Sequence, residues 1–152
     1  MNVNFRDLEI YKLAKELVFS TYDLLETYPE IEHNNLVSQL RRAVTSCPLN
    51  IAEGSGGGSF KVFLTYLVFC YRSSLECEAA LELSLHFGYI SRAQHKAIFE
   101  QLDKFIRKLW RYMEYIESRT GNGKKDTGYF YRQQKYYMNK DVEKRERRDC
   151  QF

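Results

Sequence analysis

Proline is scarce in this chain, with two residues in 152, and Val- or Thr-rich alternating runs are nearly missing. A half-buried β-strand needs period-two alternation, so a sheet has little to build from and an all-α chain is expected. Long apolar runs are lacking too. The longest, Val62 to Tyr71, is interrupted by Thr65 and falls far short of the roughly 18–20 residues that a membrane span needs. Met1 to Arg6 is polar and charged, without the apolar stretch of a secretory signal, which makes cytoplasm the expected compartment and excludes a membrane role. No Cys-x-x-Cys pair occurs among the four cysteines. Cys70 and Cys77 lie a heptad apart, about 10 Å along a helix, too far to share a metal ion or form a disulfide. Reduced thiols serving as small apolar residues are the expectation.

Histidine is equally sparse, at three residues. A di-metal helical bundle needs Glu-x-x-His on two helices plus two further inward glutamates. Glu30 and His33 supply one match in a loop, and His86 and His95 fall near helix ends, so no metal site and no cofactor is expected. The Gly-rich run Gly54-Ser55-Gly56-Gly57-Gly58-Ser59-Phe60-Lys61 lacks the Gly-Lys-Ser/Thr ending of a phosphate loop and follows a helix, not a strand. It reads as a helix–helix connection. No Ser or Cys has a His at a recognisable nucleophile spacing, and the chain is not expected to be an enzyme.

What remains is helical periodicity. With 44% apolar and 28% charged residues, the chain suits one globular domain with a sizeable core. A first helix is expected over about Phe5–Thr27, from the stripes Ile10, Leu13, Leu17, Thr21, Leu24 and Tyr11, Ala14, Val18, Tyr22, Leu25. Phe19 interrupts its polar face, as an isolated exposed ring or as a contact with another subunit. A second helix starts near Asn34 or Asn35, carries Pro48 inside, and should end in the run Gly54-Ser55-Gly56-Gly57-Gly58. Ser59 is a candidate N-cap for a third helix running to about Phe87, with Gly88 in the C′ position. Ser91-Arg92-Ala93-Gln94 is a capping box for a fourth helix. Four long helices with short links predict an antiparallel up-down four-helix bundle over residues 1–117. The third helix is apolar on so many sides that it hints at a partner.

The second helix carries two stripes. Leu36, Leu40, Ala43, Cys47 and Ile51 form an apolar face, while Gln39, Arg42, Ser46, Asn50 and Glu53 line a polar seam with Arg41 beside it. Such side chains suit hydrogen bonding to a neighbouring helix or subunit, with Glu76 and Glu78 as carboxylate partners for Arg41 or Arg42.

Beyond residue 117 the composition shifts. Residues 118–152 hold ten Lys/Arg against five Asp/Glu, net +5, whereas residues 1–117 hold 13 against 15, net −2. This basic, aromatic tail offers the candidate nucleic-acid contacts Lys124, Lys125, Arg132, Lys135, Tyr136, Tyr137, Lys140, Arg145, Arg147 and Arg148. Basic groups neutralise phosphates and tyrosine rings stack on exposed bases. The competing reading is a solvated, flexible extension.

Phe5-Arg6-Asp7-Leu8-Glu9, Ser38-Gln39-Leu40-Arg41-Arg42-Ala43, Asn50-Ile51-Ala52-Glu53-Gly54 and Gly88-Tyr89-Ile90 together resemble the bacterial four-helix-bundle proteins whose genes are often found in intervening sequences of 23S ribosomal RNA genes. That family is also similar to the accessory variability proteins of diversity-generating retroelements, which form pentameric barrels and bind nucleic acid beside a reverse transcriptase. The resemblance implies a homo-oligomer, a pentamer first, without known catalytic activity and with a role on RNA or DNA. Many relatives carry basic residues where this chain has Gly56-Gly57-Gly58, which weakens any phosphate contact at that point. A protein–protein interaction scaffold whose basic tail docks an acidic partner is the alternative.

Overall fold

The computed structural model describes residues 3–120, and these are helical without a strand. The first helix is split. Asn4 caps a 3₁₀ turn at Phe5–Asp7, its side chain accepting from the Arg6 amide at 3.2 Å, and α1 proper begins later, at Glu9–Leu25. Satisfying the Arg6 amide from Asn4 stabilises the turn and delays the α-helix that periodicity alone would start at Phe5. A second 3₁₀ turn, Glu30–Glu32, leads into α2 at Leu36–Gly56.

Helix α2 ends inside the expected run, at Gly56. Gly54 and Ser55 are buried against the next helix, and a Cβ on Gly54 would lie 2.6 Å from Cβ of Tyr66 and 2.8 Å from the Phe63 ring. Here glycine permits close approach of two helices, and the packing carries α2 onward. Pro48 sits inside the helix, as expected. The reversal comes at Gly58, whose φ of 74° favours glycine, and Ser59 then caps α3, Phe60–His86, by accepting from the Val62 amide at 3.2 Å. Gly88 ends α3 with φ of 74°. Ser91 and Gln94 form the reciprocal capping box that opens α4, Arg92–Ser118.

Helices consecutive in sequence are neighbours in space, and α4 closes the ring against α1, giving a four-helix bundle. Ile10, Leu17 and Leu25 of α1, Leu40 and Ile51 of α2, Phe63, Leu67 and Leu81 of α3, and Leu102, Phe105, Leu109 and Met113 of α4 fill its centre. No helix among the described residues is long and apolar enough to cross a membrane.

Candidate functional site

The polar seam on α2 lies over the groove between α2 and α3, at the surface of the protomer. Arg42 and Glu53 are exposed, and Gln39, Ser46 and Asn50 are half-buried. Arg42 donates to Oε1 of Gln39, and Nε2 of Gln39 donates to Oε1 of Glu76 on α3. Gln39 therefore relays the guanidinium to the carboxylate that was expected to meet it directly. Arg41 turns the other way, its guanidinium 5.6 Å from the Tyr22 ring centre of α1. Further along, Ser46 Oγ donates to the Arg42 carbonyl at 2.7 Å and Asn50 Nδ2 to the Ser46 carbonyl at 2.8 Å. These two side chains are used within their own helix. At the far end Tyr66 donates to Glu53 at 2.9 Å, and that bond raises the Tyr66 phenol above its ordinary pKa. The seam thus bonds across to α3 at its two ends, through Gln39–Glu76 and Tyr66–Glu53, and within its own helix in between.

Large apolar side chains are exposed on α1, α2 and α3. Leu49 is 65% exposed and Phe69 42%, while Phe19, the ring that interrupts the outer face of α1, is 64% exposed. Beneath the seam the α2–α3 contact is made by small residues. Cys47, Cys70 and Cys77 are free and buried. Contact with Cys70, followed by burial, holds the Cys47 thiol well above its ordinary 9.0, and contact with Cys47 together with burial does the same for Cys77. A thiol so far from ionising is neither nucleophile nor ready metal ligand. No group of three or more His, Cys, Asp or Glu among the described residues could hold a metal ion.

A residue that periodicity could not single out sits between elements. Glu32, in the α1–α2 connection, is buried and accepts from Asn35 Nδ2 at 3.0 Å, from the Leu36 amide at 3.2 Å and from Tyr89 Oη at 2.9 Å. It caps α2 and ties that connection to the α3–α4 connection. The bond to Glu32 raises the Tyr89 phenol. Only the Gly88-Tyr89-Ile90 word hinted at the position.

The ten tail candidates, Lys124 to Arg148, lie outside the described residues.

These features share one stretch of sequence. The family model for the 23S rRNA-intervening sequence protein matches residues 6–111. The chain belongs to that family. The match spans the seam, the Gly54 crossing and the Glu32–Tyr89 tie, so the words by which this intervening-sequence protein is recognised describe how its helices fit. Among solved structures it is similar to a protein of unknown function from the S23 ribosomal protein family of Bacteroides thetaiotaomicron, with 22% identity and a TM-score of 0.62, covering 68% of this chain and 97% of that one. At that identity the likeness concerns the fold. The comparison with curated proteins found no match.

Proposed function

We propose that this intervening-sequence protein is a non-catalytic homo-oligomer, assembled as a pentamer, that serves as a nucleic-acid-binding accessory factor. The observation that carries this reading is the partition of charge: net +5 in residues 118–152, interleaved with Tyr and Phe, against −2 in residues 1–117. A bundle that is acidic overall gives phosphate little reason to approach, whereas a basic, aromatic segment attracts phosphate and offers ring faces to unpaired bases. Repeating that segment on each subunit raises avidity without any new contact. Exposed Phe19, Leu49 and Phe69 support self-association, since apolar groups of that size gain by leaving water. A reverse transcriptase is the protein partner that the family resemblance suggests.

The test is binding of single-stranded and duplex RNA and DNA at two salt concentrations, with light scattering on the same samples. A mass near five subunits and salt-sensitive binding are expected, and converting Lys135, Arg145, Arg147 and Arg148 to Gln should lower affinity for every sequence. An assembled protein without affinity for any nucleic acid at low salt would favour the protein-interaction scaffold. A monomer would remove the pentamer.

A further inference from the structure

At the end of the bundle where α3 begins and α4 finishes, a groove of about 480 Å³ opens between the N-terminal 3₁₀ turn, Phe60 of α3, and the last two turns of α4. Its size lies in the range of small-molecule sites, roughly 300–1,000 Å³. Its lining combines three kinds of chemistry. Phe60, Tyr112 and Tyr115 supply rings, with Tyr112 and Tyr115 centred 5.9 Å apart and inclined by 38°. Tyr112 is braced from behind by the edge of buried Phe63, at 5.9 Å. Arg119 holds its guanidinium 5.8 Å from the Phe60 ring centre and 6.0 Å from that of Tyr115. Opposite in charge, Asp7 lines the same groove, its Oδ2 accepting from Asn4 Nδ2 at 2.9 Å. Asn4 is itself fixed by accepting the Arg6 amide. The carboxylate is therefore oriented, with Oδ1 left for a ligand donor.

Ring faces select a flat partner. The guanidinium selects an anion or stacks on a π-system. A carboxylate repels acceptors and accepts from adjacent donors. One ligand class carries all three complements: a nucleotide whose base presents neighbouring N–H donors. Guanine meets this best, because its N1–H and N2–H point the same way and can both reach a carboxylate; adenine presents one exocyclic amine and uracil one imide N–H. We propose that this groove is a binding site for an unpaired guanine nucleotide, its base against Tyr112 and Tyr115, its donor edge on Asp7 and its phosphate on Arg119.

The site deepens the nucleic-acid reading above and rests on it, and although Arg119 falls at the start of the basic segment, none of the ten tail candidates, Lys124 to Arg148, takes part in it. The nucleotide could be free or the unpaired end of a strand; in a duplex the donor edge of guanine is occupied by its partner base.

The experiment is titration of the full-length protein with GMP, AMP and guanosine, followed by tyrosine fluorescence, then competition of bound GMP by a short single-stranded RNA ending in guanosine and by the same sequence as a duplex. GMP should bind more tightly than AMP. Tyr115→Leu should weaken GMP about tenfold by removing one stacking face. Asp7→Asn should erase the preference for GMP over AMP, a discrimination of about tenfold. Arg119→Gln should weaken GMP but leave guanosine unchanged. All three side chains are exposed, so the variants should melt with the parent. Competition by the single strand and not the duplex assigns the site to strand ends; competition by neither assigns it to the free nucleotide. Absence of GMP binding at millimolar concentration, or equal binding by parent and variants, overturns the proposal. If single strands still bind parent and variants alike in that case, the tail reading survives; if they bind neither, both readings fall.

Discussion

The two halves of the bundle differ in the small residues that they bury. In α1 and α4 the buried positions are large, including Ile10, Leu17, Leu25, Leu102, Phe105, Leu109 and Met113, with Ala14 and Thr21 the small members. In α2 and α3 small residues recur: Ala43, Cys47, Gly54, Ser55, Cys70, Ser74, Cys77, Ala80 and Ser84 are all buried. Small side chains let two backbones come close, and α2 with α3 forms the most extensive helix pair of the fold. The buried serines there donate within their own helices. Ser55 donates to the Ala52 carbonyl, Ser74 to that of Tyr71 and Ser84 to that of Ala80, so these three hydroxyls have partners inside their own helices, while the Cys47 thiol also reaches the Cys70 carbonyl across the contact. Both halves fill space with large side chains, Phe63 and Leu67 among them in α3, but only α2 and α3 add close approach at a run of small ones, so enlargement should harm that half in particular.

Large-to-small change in the first half should have the largest effect. Phe105 is fully buried at the centre of α4. Phe105→Ala removes the ring and leaves a cavity, with an expected loss of about 3–5 kcal/mol in denaturant melts. Phe63 of α3 is buried as completely, so Phe63→Ala should cost a similar amount, and the contrast between the halves lies at the small positions.

Small-to-large change in the second half comes next. Gly54→Ala places a methyl 2.6 Å from Cβ of Tyr66, near the backbone, where side-chain rotation cannot relieve it. Moving the helices apart should cost about 1–3 kcal/mol. Gly56→Ala is the control: its Cβ would meet nothing within 4 Å, and its effect should be neutral or a gain of up to about 1 kcal/mol. Equal loss in both variants would mean that the glycines serve chain flexibility and that close approach is not what α2 and α3 depend on.

This contrast explains what could be read from the chain and what could not. Caps are local and speak through residue type, so Ser59, Gly88 and the Ser91–Gln94 box stood out in the sequence, as did the apolar stripes. Gly54 reads as a helix stop from its own type and its run of neighbouring glycines; its use as a crossing point depends on Tyr66 and Phe63, on another helix. Glu32 has a stronger form of the same problem, because its partner Tyr89 is 57 residues away and both lie between periodic segments. The seam was legible as a stripe, but Gln39 standing between Arg42 and Glu76 was not, since spacing gives the face of a side chain and not the length of its reach. Of the groove, only Asp7 and Leu8 stood in a word that carried the family resemblance; its residues come from three separate stretches and carry no shared period.

The smallest expected effects lie on the surface of each half, and their concentration dependence sharpens the comparison. Lys108 of α4 bonds Glu9 of α1 at 3.0 Å, with the two side chains 41% and 60% exposed. An ion pair so open to water contributes little, so Lys108→Ala should cost about 0.5 kcal/mol or less, and less still in salt. Arg42, also exposed, should cost as little when changed to Ala in dilute protein. The two part company if the α2–α3 face is covered by another subunit. Burial there would strip water from the Arg42–Gln39–Glu76 chain, and removing Arg42 would leave Glu76 without its counter-charge, a loss that buried pairs place at about 3–5 kcal/mol. Melting both variants across a hundredfold range of protein concentration reads the difference. The Arg42→Ala deficit should grow with concentration while that of Lys108→Ala stays flat; two flat lines would place the seam in water in every assembly the protein forms.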